Sequence, residues 1–475
     1  MQMLRKRDGV MHRVRIRALS ALACAALLLG SSLIAIGGQS AVASSAATVS
    51  NGWTVYHGDA QGTGLSTRYK SINTSSPAWT SPLVDGELYG QPVVQGNNVY
   101  VATENDTVYA LSSTSGLVVW KRHIARPVPA TALPCGDIAP TVGITGTPVI
   151  DPTRNEIFVV ADEFINGGPH HRMVGLNATT GKVELNVDVD PPGASPAALL
   201  QRTGLNLDEG RVIFGMGGND GDCALYRGRV GSVAETGSKP RFFTVDARSG
   251  DSQGAVWMGG AAPVVSTKGD VWVSTGNGSV YSASDTYDDS DSLLEISPTM
   301  HLVQFFAPTS WPQNNAADLD MSMEPVLLAN NQVVLAGKSR IVYLLNAGHL
   351  GGIGNGEASL ASGCGGDMDG GTAVVGSIVY MPCVNGLVAM RVLHSPAALR
   401  IVWHTSDGGG PPIVVAGLVW TIGQDGTLYG LNPATGAVRQ TVAGGSPANH
   451  FPTPGVGDGL FLVPSAYRVV AYPAT

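Results

Sequence analysis

The chain is written in short apolar runs separated by polar, glycine-rich turns. No stretch of its body keeps the 3.6-residue period of a long amphipathic helix. The segment "NNVYVATENDTVYALSSTSGLVVWKR", residues 97–122, shows the unit: two alternating apolar runs, a polar turn, and a run reaching Trp120. Alternation with period two puts successive side chains on opposite faces, so each run reads as a short β-strand.

The pattern recurs along the chain. "GQPVV" (from Gly90), "GTPVI" (Gly146), "AAPVV" (Ala261), "MEPVL" (Met323), "GTAVV" (Gly371), "PPIVV" (Pro411) and "PTPGV" (Pro452) each open a unit. A second strand follows most of them, and a third ends in a turn glycine in "TVYALSSTSG", "MVGLNATTG" and "TLYGLNPATG". Gly116, Gly181 and Gly436 suit a backbone with φ > 0 there. One further unit starts at Thr203, making eight, spaced about 40 to 60 residues apart. Four short strands per unit predict an all-β, eight-bladed β-propeller of four-stranded antiparallel blades, with seven blades as the runner-up. Trp120 and Trp257 are assigned to fourth strands, as apolar surface for blade stacking. The last unit supplies three strands, so "SPAWTSPL" (from Ser76) is expected to complete that blade and close the ring, removing an exposed sheet edge.

Composition agrees with this: 62 Gly, 29 Pro and only 13% charged residues in 475. Residues 1–43 carry a different pattern, six basic residues, an apolar run and "AVA" at 41–43, and are expected to be a secretory signal peptide. An uncleaved membrane anchor is the alternative, and the only expected link to a membrane. Residues 44–75 are then a lead-in and 76–475 the propeller. Cleavage removes six of 28 basic and one of 36 acidic residues, leaving a formal charge of −13. Such acidity argues against nucleic acid as a partner. Export to an oxidising compartment makes the four remaining cysteines two disulfides, with Cys135–Cys223 and Cys364–Cys383 the pairing chosen among three connectivities.

"VYVATENDTVYALSSTSGLVVWK" closely resembles the pyrroloquinoline quinone (PQQ) repeat of quinoprotein alcohol dehydrogenase-like propellers. "WTVYHGDAQGTGLS", from Trp53, resembles the segment that opens them. The resemblance implies the fold first. The same repeat builds both PQQ- and calcium-dependent dehydrogenases and quinone-free lipoproteins of outer-membrane-protein assembly. Several segments resemble the dehydrogenase site. "VSTGNGS" implies Asn277 as a calcium ligand, "AADLDMSMEPVLL" implies Asp318 as the catalytic base, and "AGKSRIVYLLNA" implies Lys338 against the quinone. "GRVIFGMGGNDGDCALYRG" leaves Asp220 as a stand-in for a calcium-binding Glu. Other features depart from that pattern. No adjacent Cys pair occurs, Ala261 or its neighbours stand where a stacking Trp is expected, and Ala317 replaces the Trp before the catalytic Asp.

Each of these residues also has a plain reading. Asn277 lies in a Gly-bounded turn that favours Asn, Asp318 and Asp320 can cap a loop, Lys338 can face solvent, and Asp220 can sit on an exposed turn. The acidic stretch "SDTYDDSDS" is expected to be a solvated loop, and His170 and His171 to point to opposite faces of a strand. The expectation is a secreted or cell-surface monomer. Its propeller axis binds a protein or small-molecule ligand, without a bound quinone. The alternatives are a PQQ- and Ca-dependent alcohol or sugar dehydrogenase, and an envelope assembly scaffold.

Overall fold

A computed structural model describes residues 52–475 except 249, 448 and 450. The proposed signal segment 1–43 lies outside the described residues. Among the described residues, no helix is long and apolar enough to cross a membrane.

Eight small antiparallel sheets follow one another along the chain and form an eight-bladed β-propeller. Blades 1 to 7 span 93–123, 149–188, 206–244, 264–307, 326–362, 373–405 and 413–443, and blade 8 spans 455–473 with Trp79–Thr80. Trp79 and Thr80 pair antiparallel with Ala471 and Val470, so an early strand completes the last blade and ties the ring shut. The strand pattern changes with distance from the axis. In blade 1, Val99 to Ala102 are buried on both faces, because each blade is covered on both sides by its neighbours. The outer strand Val118–His123 is largely exposed.

Trp79, Trp120 and Trp403 lock neighbouring blades together in the same way. Each sits on an outer strand and donates its indole N–H to a carbonyl in the outer turn of the next blade: Ser113 at 2.7 Å, Ala178 at 3.0 Å and Pro433 at 2.9 Å. The turn glycines Gly116, Gly181 and Gly436 have φ of 69°, 67° and 71°. A Cβ on any of them would lie 2.5 to 2.7 Å from the docked indole. Glycine is needed at these turns twice over, for left-handed backbone and for close approach. Trp257 was assigned to the same role, but it lies outside any strand, before a single 3-10 turn at Met258–Gly260.

The segment after Trp53 lines the inner strands of the ring. Trp53 bridges to Val94 in blade 1, Ala60 accepts the Val265 N–H in blade 4, and Leu65–Ser66 adds a parallel strand to blade 7. At its centre His57 and Glu324 are fully buried 3.6 Å apart. Both disulfides form as paired from sequence, Cys135–Cys223 and Cys364–Cys383.

One expectation about a polar loop is corrected. Asp285 is exposed, but Asp288 and Asp291 of the acidic stretch are 1% and 0% exposed. The loop turns inward because Ser290 and Asn314 donate hydrogen bonds to these carboxylates. The neighbours His170 and His171 both reach one carboxylate, with Nδ1 atoms 2.8 and 2.7 Å from Asp190. The His170 side chain is 37% exposed and that of His171 is buried, as opposite strand faces require, and Asp190, just past the outer strand of blade 2, meets each ring with a different oxygen.

Candidate functional site

Each blade's strand-two to strand-three loop and the connection to the next blade emerge at one end of the ring. There they surround a cavity of about 760 Å³. Asn277, Asp318, Lys338 and Asp220 all line it, although more than 100 residues separate the first from the last. Chain topology brings them together. Asp220 and Asn277 follow the second strands of blades 3 and 4, Lys338 follows that of blade 5, and Asp318 lies between blades 4 and 5.

The polar centre is a tight network around Asp320. Its carboxylate accepts the Asn277 backbone N–H at 2.6 Å and lies 2.7 Å from Lys338 Nζ. Lys338 also donates to both Asp318 oxygens at 3.3 Å. Asp320 is buried while the Asp318 side chain is 68% exposed, so the two aspartates divide the roles of anchor and open face. Asp320 does bond a loop N–H, but that N–H belongs to the neighbouring blade. Gly276 is required beside it, since a Cβ would meet Asp320 Oδ1 at 2.7 Å. Burial works to lower the Lys338 pKa, but the Asp320, Asp318 and Asp369 carboxylates outweigh it and hold the ammonium above its ordinary value. Burial, with Asp320 nearby, raises the Asp318 carboxyl against the pull of Lys338.

The apolar wall was not read correctly from sequence. Trp257 lines the cavity, with its ring 5.8 Å from that of Phe451 in an edge-on pair and Lys338 Nζ 5.6 Å from its centre. An aromatic platform shortly before the "GTGN"-like turn is therefore present, four residues upstream of Ala261. Tyr89, Tyr226, Phe451, Arg202 and Asp222 complete the lining from connections with no repeat signal. Among them, Asp222 and Tyr226 belong to the "GRVIFGMGGNDGDCALYRG" stretch already singled out in sequence, whereas Tyr89, Arg202 and Phe451 carry no such signal.

A calcium ion wants several converging oxygen ligands. Asp320 is committed to Lys338 and to a backbone N–H, and Asp318 is paired with the same lysine. Among the described residues, the His, Cys, Asp or Glu group close enough to hold a metal is His170, Asp188 and Asp190, none of which lines the cavity. The lining also carries five aspartates against Arg202 and Lys338, a poor match for a quinone bearing several carboxylates. The donor set thus does not fit a calcium–quinone pair as it stands.

No curated protein sequence matches the chain. Similar solved structures include a quinohemoprotein alcohol dehydrogenase from Comamonas testosteroni, at TM-score 0.66 and 14% identity over 89% of this chain and 80% of that one. A europium-containing methanol dehydrogenase has TM-score 0.66 and 14% identity over 87% of this chain and 89% of that one. BamB from Moraxella catarrhalis has TM-score 0.53 and 14% identity over 85% of this chain and 98% of that one. At these identities the likeness shows the fold alone. A family model described as outer membrane protein assembly factor BamB matches residues 38–297, more than half of the chain. With eight blades closed by an early strand and the repeat carried in sequence, the chain belongs to this PQQ-repeat propeller family.

Proposed function

We propose that the protein is an extracytoplasmic binding propeller whose axial cavity takes a small ligand with an apolar face and polar groups, without a bound quinone. The observation that supports it most is the lining itself. Trp257 and Phe451 give an apolar platform beside the Asp318–Lys338–Asp320 network, in a cavity large enough for a small molecule. Two disulfides agree with an oxidising compartment.

A second reading is a quinoprotein dehydrogenase. Convergence of Asn277, Asp318 and Lys338 on one cavity with an aromatic platform favours it, and the dehydrogenases among the similar structures share the fold. An envelope assembly scaffold draws on the family description and not on the cavity. The test titrates purified protein with PQQ and Ca²⁺ by calorimetry, then assays dye reduction with a panel of alcohols and sugars. The proposal expects no binding at micromolar PQQ. Binding with turnover that is lost in Asp318→Asn would establish the dehydrogenase instead.

A further inference from the structure

Arg202 differs from the other strongly buried arginine of the propeller. Arg229 is 7% exposed and donates Nη1 to the carbonyls of Arg227 and Gly228, at 2.8 and 3.1 Å. Arg202 is 9% exposed, and its guanidinium lies over the rings of Tyr89 and Phe451, 5.6 and 5.5 Å from their centres. Gly260 packs against it so closely that a Cβ there would lie 2.3 Å from Nη1. Among the described residues no carbonyl or carboxylate accepts a hydrogen bond from it. Burial lowers its pKa, and the acidic groups around it, Glu104 and Asp137 among them, pull the other way without bonding it. A guanidinium held against aromatic rings with no protein acceptor keeps its N–H donors available. The side chain lies on the wall of the axial cavity, so an acceptor can reach it from there.

We propose that Arg202 is the anion-recognition point of the axial cavity, taking the single carboxylate of a ligand whose uncharged body lies against Trp257 and Phe451. The proposal rests on the reading of that cavity as a small-ligand site. A planar guanidinium held by aromatic rings offers paired N–H donors to a carboxylate, the geometry that arginine recognises best. Lys338 does not compete for that carboxylate, because Asp318 and Asp320 already hold it. The five aspartates of the lining select against a dianion such as a phosphate monoester, so a single negative charge, placed directly on Arg202, is the most the cavity can take.

Benzoate, benzyl alcohol and benzylphosphonate share an aromatic ring and differ in charge. Their binding to the full protein is measured by calorimetry in the wild type, Arg202→Gln, Arg202→Lys and Trp257→Ala. The expected result is that benzoate binds most tightly of the three and loses about 10- to 100-fold in Arg202→Gln. Benzyl alcohol should bind equally to both, and Arg202→Lys should recover only part of the loss. Thermal melting serves as the folding control, and removing an unpaired buried charge should leave Arg202→Gln at least as stable as the wild type. If Arg202→Gln does not fold, the comparison of benzoate with benzylphosphonate and the Arg202→Lys variant decides. Benzoate affinity that is unchanged in the Arg202 variants but lost in Trp257→Ala would overturn the arginine's role and leave the cavity reading standing. Absence of binding by all three compounds would overturn both.

Discussion

Trp79 and Trp257 show how one residue type serves two purposes in this propeller. Trp79 is 7% exposed, lies on a strand, covers a turn glycine of the next blade and bonds a backbone carbonyl. Trp257 is outside any strand, half-buried, and faces Phe451 and Lys338 across a cavity. The first environment occurs three times with the same partners, and its geometry is satisfied within the fold. The second occurs once, and one ring face borders open space. Repetition marks a residue that holds blades together, whereas Trp257 shares none of that repeated environment and borders the axial cavity.

The sharpest way to break this contrast is truncation. Trp79→Ala or Trp403→Ala should cost about 3–5 kcal/mol in denaturant unfolding, whereas Trp257→Ala should cost about 1–2 kcal/mol and act mainly on ligand binding. Equal losses at the two kinds of site would end the distinction. The polar network allows a second comparison. Lys338→Met strands the buried Asp320 carboxylate and should cost about 3 kcal/mol. Chemical denaturation of that variant, with and without a second Asp320→Asn change, tests it, since the double variant should recover much of the loss.

A third test compares the ring's interior with its surface through pH. Burial holds the Glu104 carboxyl at about 8 and the Asp162 carboxyl at about 7, and lifts Asp106 and Glu324 well above the ordinary carboxyl range. The folded chain keeps protons there that the unfolded chain has released. This stabilisation is complete below about pH 4 and is lost as pH rises through about 7 to 8. His57, held down to about 3 by burial, works in the other direction: its contribution is present above pH 6.5 and is lost as pH falls toward 3. The carboxyls outnumber it, so the melting temperature should fall between about pH 6 and about pH 9, and Glu104→Gln should flatten that decline. A melting temperature that rises over this range would contradict the assignment. The smallest effect belongs to Asp318→Asn, at an exposed carboxylate, which should change stability by less than about 0.5 kcal/mol.

Much of the fold was legible because its signals are local. A turn glycine five residues past the end of "YAL" or "YGL", a Trp on the outer run and an orphan strand near the start each specify one step of blade building. Those steps repeat. The candidate site was legible only in part. Asn277, Asp318 and Lys338 stood out because short stretches around them resemble known segments, and they do share a cavity. Trp257 was misassigned because its spacing from Gly-rich sequence suits an outer strand as well as a cavity wall. Arg202, Tyr89 and Phe451 lie in connections between blades, where length and composition vary and no period exists to read.

By itself, the amino-acid sequence determined the strand periodicity, the repeating blade unit and the strand that closes the ring, since each follows from neighbours along the chain or from a repeated unit. The choice among three cysteine pairings, and of eight blades over seven, was decided by the structure. Tertiary structure alone decided which polar groups are buried and which face the axis. Asp288 and Asp291 turn inward in a stretch that reads as solvated, His170 and His171 share Asp190, and Arg202 meets Tyr89 and Phe451 from opposite ends of the chain. The physical reason is that a closed ring juxtaposes loops from blades far apart in sequence. The cost of burying their charges depends on those meetings and leaves no mark in local pattern.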